Sequence, residues 1–109
     1  MNNEHEQTDL PENSGKQPVT PRTPAEKHQV VNRLKRIEGQ VRGIQNMVED
    51  DRYCVDILVQ LSAIDSALKN VGYSLMERHT KHCVSDAIRS GEGEEAIDEL
   101  MKVLKQFSK

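Results

Sequence analysis

The sequence predicts an all-α protein with three helices in each chain. Apolar residues recur at alternating steps of three and four along two long segments and one short one, which is the period of a helix that buries one face. All four prolines lie within the first 24 residues. Because proline inside a helix removes a hydrogen bond and clashes with the preceding turn, its absence from residues 25–109 leaves long helices uninterrupted.

The first predicted helix covers residues 24–49. Thr23 is suited to cap it, and Pro24 follows at the first helical position, where proline is tolerated. Gly39 and Gly43 lie one turn apart and lower the helix propensity, but their small size would allow another helix to approach closely. The apolar stripe of this helix consists of Val30, Leu34, Ile37, Val41, Ile44 and Val48.

The second predicted helix is long and single, from Arg52 to Ser90, with no proline and one glycine. Asp51 is suited to cap its start. Gly91 is suited to the left-handed conformation that ends a helix, with Gly93 in the following turn. The apolar stripe consists of Cys54, Ile57, Leu61, Ile64, Leu68, Val71, Leu75 and His79.

A short third helix is predicted from Glu94 to Phe107, with Ile97, Leu100 and Leu104 on the same face as Phe107. The acidic residues around its start favour the positive end of the helix dipole, which explains most of them without a functional role.

Residues 1–23 are predicted to form a disordered tail, which leaves residues 24–109 as one small domain. The tail has almost no apolar residues, so it cannot bury enough surface to offset the entropy of ordering. A domain of the remaining size has a small core and often gains stability by association. The aromatic-poor composition, with one phenylalanine, two tyrosines and no tryptophan, favours association further.

The expected compartment is the cytoplasm, with no membrane partner. No apolar run approaches the length of a membrane span, and the chain does not start like a signal peptide. In a reducing compartment Cys54 and Cys83 are expected to be thiols, which favours a metal or redox role over a disulfide. The alternative is that each is a small buried hydrophobe.

Basic residues concentrate on the first helix of an otherwise acidic chain. Between residues 21 and 48 six basic residues stand against two acidic ones, a net charge of +4, whereas the whole chain carries −3. A solvated helix face is the usual reason for such a cluster, and no known DNA-binding motif accompanies it. The candidates for nucleic-acid contact are Arg33, Lys35, Arg36 and Arg42, with Lys27 and Arg78 behind them.

Cys54, His79 and Cys83 form the candidate metal site. His79 and Cys83 are four residues apart, so they lie on one helix face and can both reach one ion. Two thiolates and one imidazole are soft donors, and three such donors suit Cu(I) better than a closed four-ligand zinc site. His82 points about 100° away from Cys83 around the helix and is left out of the site. A partly exposed helical histidine is the alternative for His79.

The length of the second helix separates these ligands within one chain. The 29 residues from Cys54 to Cys83 span roughly 43 Å of helix, so the two thiols cannot share an ion unless they come from different chains. In an antiparallel pair with Leu68 near the two-fold axis, Cys54 meets His79 and Cys83 of the other chain, and two identical sites result. The first and second helices of both chains would form an antiparallel four-helix bundle.

In the same pairing Ile64 lies opposite Gly72 of the other chain. The missing side chain of this glycine is expected to give the isoleucine room.

These features resemble the copper-sensitive operon repressor family over residues 25–107. The resemblance rests on the segment Arg33-Leu34-Lys35-Arg36-Ile37-Glu38-Gly39-Gln40-Val41-Arg42-Gly43-Ile44 and on the triad of Cys54, His79 and Cys83. It implies a cytoplasmic repressor, a dimer of dimers, that binds operator DNA and releases it when Cu(I) binds between the chains. Residues 24–109 would then be a metal-sensing and DNA-binding domain, and copper-efflux genes would be derepressed.

The resemblance also implies an outer shell around the metal. The family has a tyrosine just before the first cysteine and a glutamate in the third helix, and Tyr53 and Glu99 match them. Related nickel and cobalt sensors have a histidine in place of Cys83, and persulfide sensors lack the histidine that His79 matches. The ligand set therefore favours Cu(I) within this family.

Two other functions remain open from the sequence. A thiol or persulfide sensor could cross-link Cys54 and Cys83 of facing chains on oxidation, and a copper buffer would bind Cu(I) without DNA. An enzyme with a small-molecule substrate is not expected. A nucleophile–base pair of Cys83 and His79 would lack an oxyanion hole and a pocket to orient a substrate.

Overall fold

The computed structural model describes residues 14–108, and all regular structure in that range is helical. Helix α1 is Pro24–Glu49, α2 begins at Cys54 and ends at Arg89, and α3 is Gly93–Phe107. The three predicted helices are confirmed, with ends within a few residues of the predicted ones. The predicted disorder of residues 1–13 falls outside the described range.

Helix α1 begins with the predicted cap. The Thr23 hydroxyl accepts a hydrogen bond from the backbone N–H of Glu26 at 3.1 Å, and the Glu26 carboxylate accepts one from the N–H of Thr23 at 2.7 Å. This reciprocal pair is a capping box, and Pro24 occupies the first turn. Two backbone donors that the helix itself leaves unpaired are therefore satisfied by side chains.

The predicted cap of α2 is wrong. Asp51 adopts the left-handed conformation, with φ of 54°, and ends α1 instead of starting α2. Its N–H donates to the carbonyl of Val48, and that of Arg52 donates to Met47, which satisfies the last carbonyls of α1. Aspartate tolerates this conformation better than most residues. Helix α2 begins after Tyr53, whose side chain makes no capping bond.

Helix α2 is continuous but not uniform. Cys54–His79 is α-helical, Thr80–Val84 forms one π-helical turn, and Ser85–Arg89 is α-helical again, with right-handed helical backbone at both junctions. The single long helix is confirmed, and the π turn within it was not predicted. Gly91, with φ of 88°, ends α2 as predicted. Gly93 was placed in the turn but is the first residue of α3.

Helices α1 and α2 pack on each other through a small core. Ile37, Ile64 and Val71 are buried, and four half-buried side chains surround them. The outer half of each predicted stripe is uncovered: Leu34 and Val41 of α1 are both 42% exposed, and Leu61 and Leu68 of α2 are 46% and 45% exposed. One chain therefore covers only part of the apolar surface that the sequence provides.

Helix α3 is held against α2 by Phe107. The Phe107 ring lies so close to Gly72 that a Cβ atom on this glycine would overlap it. The same ring meets Tyr73 edge to face, with 5.4 Å between centroids. The room beside Gly72, which the sequence analysis assigned to Ile64 of a second chain, is thus filled by α3 of the same chain.

Candidate metal centre

His79 and Cys83 lie side by side on α2, where the π turn begins. Both side chains are half-buried. They line one open groove of about 460 Å³ together with Arg78 of α2, and with Ala96 and Glu99 of α3. A π turn is a recurrent feature of functional sites, since it widens the helix by one residue locally. The structure thus brings two of the three predicted ligands together, and adds Glu99.

Cys54 lies at the opposite end of α2. It is the first residue of the helix and is exposed, and the adjacent Tyr53 is 71% exposed. Within residues 14–108 no three histidine, cysteine, aspartate or glutamate side chains of one chain converge as metal ligands. A single chain therefore offers one predicted ligand at the start of α2 and the other two near its end.

Glu99 has a basic partner in the groove. The Nζ atom of Lys16 lies 3.1 Å from its Oε2 atom, and both side chains are more than half exposed. An ion pair this exposed contributes little to stability. The Glu99 carboxylate thus lies in the groove of His79, and its exposed contact with Lys16 is one that a stronger partner can replace. His82, which the sequence analysis left out of the site, is not among the residues that line the groove.

The segment before α1 forms the other wall of this groove. Lys16, Pro18, Val19 and Arg22 all line it. The sequence analysis assigned this segment to the tail and missed its contact with the site. No periodic pattern signals the contact, because the segment has no regular secondary structure before Pro24.

Arg78, a candidate for nucleic-acid contact in the sequence analysis, does not lie on the exposed surface. Its side chain is only 13% exposed. The Nε atom donates to Glu26 Oε2 at 2.8 Å, and Nη2 donates to Glu26 Oε1 at 3.2 Å and to the Pro21 carbonyl at 3.1 Å. The guanidinium is thus used inside the chain, which argues against a direct phosphate contact.

The ion pair between Arg78 and Glu26 perturbs both groups. The hydrogen bond from Arg78, followed by that from the Thr23 backbone, lowers the pKa of Glu26 from its ordinary 4.5 to about 2. The hydrogen bond with Glu26 in turn raises the pKa of Arg78 above its ordinary value. Both groups are charged at neutral pH, so the pair is a true ion pair between α1 and α2.

The remaining basic candidates are all exposed on α1: Lys27, Arg33, Lys35, Arg36 and Arg42. Arg33 and Arg36 line a second groove, of about 480 Å³, where Gln40 and Asn70 also lie. The sequence analysis did not place these two amide side chains beside the basic residues, because it searched for charged residues and amides are uncharged.

The fold and these sites define a class of protein. Residues 26–106 match the family described as metal-sensitive transcriptional repressor, and the chain belongs to it. Repressors of this class act by binding rather than by catalysis. None of the helices in residues 14–108 is long and apolar enough to cross a membrane.

Particular relatives narrow the comparison. The chain is 69% identical over 84 residues to the copper-sensing transcriptional repressor CsoR of Bacillus subtilis (strain 168), which covers 77% of this chain and 83% of the relative. The copper-sensing repressor CsoR with Cu(I) from Geobacillus thermodenitrificans NG80-2 has a TM-score of 0.79 at 61% identity, covering 84% of this chain and 96% of that one. The nickel-responsive transcriptional regulator InrS has a TM-score of 0.63 at 36% identity, covering 73% and 90%.

Proposed function

We propose that this chain is a Cu(I)-responsive transcriptional repressor that binds operator DNA without copper and releases it when Cu(I) binds, so that copper-efflux genes are derepressed. The observation that carries this proposal is the pairing of His79 and Cys83 in one groove, with Cys54 at the far end of the same helix. The relatives named copper-sensing repressors support the choice of metal. A repressor that binds operator DNA in a bacterial cell works in the cytoplasm, where that DNA lies.

The donor set fits Cu(I). Cys54, His79 and Cys83 supply two sulfurs and one imidazole nitrogen, and both cysteines are free thiols. Soft donors in low coordination number favour Cu(I) over harder divalent ions. When bound, Cu(I) would supply a bridge that ties Cys54 of one chain to His79 and Cys83 of another.

The assembly follows from the same arrangement. An antiparallel pair of α2 helices brings the Cys54 end of each chain to the His79 end of the other, which gives two identical sites. Exposed apolar side chains, such as Leu61 and Leu68 of α2, would be covered in this pair. Two such dimers would form the tetramer that presents the basic helices to DNA.

Tyr53 and Glu99 would orient the imidazole. A metal-bound histidine donates its other N–H to an acceptor, which fixes the ring and raises its basicity. Glu99 lies in the groove beside His79, and Tyr53 would arrive next to Cys54 of the second chain. We infer that binding turns His79 toward these two groups and so shifts α3, and with it the basic surface.

DNA binding would use the exposed basic residues of α1. Four copies of a segment with net charge +4 form a broad basic face that can neutralise several phosphates and release their counterions. The contacts are assigned to Arg33, Lys35, Arg36 and Arg42, with Lys27 beside them. Arg78 is removed from this set because its guanidinium pairs with Glu26.

The test is an anaerobic Cu(I) titration of the protein bound to fluorescently labelled upstream DNA, followed by anisotropy. Coupling is reciprocal, so copper must weaken operator binding by the factor by which the operator weakens copper binding. We expect Cu(I) to release the DNA, and Zn(II) at equal concentration to leave it bound. Equal Cu(I) affinity of free and DNA-bound protein would refute the proposal.

A thiol switch is the second candidate, because Cys54 is exposed and Cys83 half-buried as free thiols. In the same antiparallel pair, oxidation would join the two sulfurs as an interchain disulfide. The variant H79A separates the two functions. It should abolish release by Cu(I), whereas release by a thiol oxidant should be kept only if the switch operates.

A further inference from the structure

The contact between Arg78 and Glu26 joins two parts of the chain. One is the metal half-site, which is the part of the candidate site formed by His79 and Cys83, and the other is α1, the helix that carries the exposed basic residues. Arg78 directly precedes His79, and Glu26 lies in the first turn of α1. The guanidinium gives Glu26 two hydrogen bonds, at 2.8 and 3.2 Å, and a third goes to the Pro21 carbonyl just before α1. Two-point contacts of this kind fix orientation as well as distance.

This pair joins α1 to α2, and it differs in this from the ion pairs that lie within single helices. The pairs of Arg42 with Glu38, Lys69 with Asp65 and Lys81 with Glu77 each join residues four apart on one helix. Their acidic and basic side chains are well exposed, whereas the Arg78 side chain is 13% exposed. The pair with Glu26 is thus built to relate two helices to each other.

The fixed contact limits how the His79 turn can move. A displacement of the residues before the π turn must carry the start of α1 with it, or break three hydrogen bonds. Helix α1 is a rigid rod with Arg33 two turns beyond Glu26, so a tilt at its start repositions the basic residues. Arg36 follows on the same rod.

We propose that Glu26 and Arg78 are positioning residues that transmit the metal state of the His79 half-site to the basic helix α1. The inference rests on the proposed function, and assigns the coupling to residues that bind neither copper nor DNA. The ion pair needs both residues. A substitution of either Glu26 or Arg78 should therefore uncouple the metal site from the DNA-binding surface. The copper ligands themselves are untouched.

The variants are E26Q and R78Q, with E77Q as the matched control. Glutamine at residue 26 can still complete the capping box, so E26Q weakens the ion pair without removing the helix cap. E77Q makes the same charge change one residue from Arg78, but in the exposed pair with Lys81. Circular dichroism melting confirms that each variant folds.

Three quantities are measured anaerobically for each protein: operator affinity without copper, Cu(I) affinity by chelator competition, and operator affinity with copper. We expect E26Q to keep the Cu(I) affinity. In both E26Q and R78Q, the factor by which copper weakens operator binding should fall about tenfold or more, within the usual range of allosteric coupling. The double variant should be no worse than either single one, because the two residues act through one contact.

Wild-type coupling in both single variants would overturn the inference, as would an equal loss in E77Q. Additive losses in the double variant would also overturn it. If the wild type itself keeps the operator when Cu(I) binds, the proposed function fails and the inference falls with it. Release in the wild type together with unchanged coupling in E26Q and R78Q would refute the inference alone.

Discussion

At the scale of single residues, Glu99 is the proposed outer-shell partner of the His79 imidazole. Its carboxylate lines the groove of His79 and Cys83 and pairs with Lys16 in solvent. Because that pair is exposed, it contributes little to folding. The carboxylate is therefore available as the acceptor for an imidazole N–H.

We predict that E99A weakens Cu(I) binding by about 10- to 100-fold, the usual effect of removing an outer-shell partner, and reduces release of DNA by copper. The melting temperature should hardly change. E94A, which removes an exposed acid from the same helix, is the control and should bind Cu(I) normally. Chelator competition and anisotropy measure both effects. Tight Cu(I) binding and full release in E99A would refute the outer-shell role.

The Glu26 carboxylate makes stability depend on acid pH. Its pKa is lowered from 4.5 to about 2 in the folded chain, so the ionised form stabilises the fold fully above the ordinary pKa. This contribution is lost as the pH falls from about 4.5 toward 2. We expect the wild type to be more stable than E26Q at pH 6, with the difference shrinking below pH 4.5. Urea unfolding across this range tests it, and a difference independent of pH would contradict it.

At the scale of elements, an aromatic contact helps to position α3 on α2. Phe107 fills the space that Gly72 leaves on α2 and meets Tyr73 edge to face. Glycine lowers helix propensity, and here the missing side chain allows close packing of the ring. Glu99, the proposed acceptor, lies on the same helix, so this contact also influences the shape of the groove.

We predict that G72A destabilises the protein by about 1–3 kcal/mol, because a Cβ atom there overlaps the Phe107 ring and forces α3 away. The matched control is G39A, where a Cβ atom meets no atom within 4 Å in the chain. That change should be neutral or stabilising by up to about 1 kcal/mol. Replacing Phe107 by leucine in the G72A background should recover part of the loss. Equal melting temperatures for wild type and G72A would contradict this packing.

At the scale of the whole molecule, the predicted ligands lie at opposite ends of α2, so one chain cannot bring them together. Cys54 starts α2, and His79 and Cys83 lie near its end. The apolar stripes of α1 and α2 are also only half covered. Both features point to association of chains as a condition for a complete site.

We predict that C54S and C83S chains complement each other. Each variant alone should fail to bind Cu(I) tightly, since both of its sites lack one sulfur. In a mixed dimer one site regains all three ligands, so an equal mixture refolded together should bind about one Cu(I) per four chains by statistical pairing. Anaerobic titration with a chromogenic chelator gives the stoichiometry. No recovery in the mixture would contradict a site that is shared between two chains.

Local pattern accounts for what the sequence predicted well. The helix bounds and the Thr23 cap depend on neighbours within one turn, so they can be inferred from spacing. The pair of Glu26 and Arg78 joins residues 52 positions apart, and its charges look like any surface charges in the sequence. Asp51 was misplaced because a left-handed aspartate and a capping aspartate look the same in a sequence.

The candidate site divides in the same way. His79 and Cys83 line one groove, and the sequence could place them together because their spacing of four is local. The wall formed by Lys16 and Arg22 depends on how an irregular segment crosses the groove, which no periodic signal encodes. The filling of Gly72 by Phe107 required the angle between α2 and α3, which is set by the connection between them.

The π turn shifts the register of α2 by one residue. Along the core-facing side, Val71, Leu75 and His79 follow at steps of four, and the next buried residue is Val84, a step of five. That extra residue matches the wider ring of a π turn. The number of residues in this turn therefore contributes to the direction in which α3 leaves α2. A change of one residue between Thr80 and Val84 would swing the third helix by about 100° around the axis.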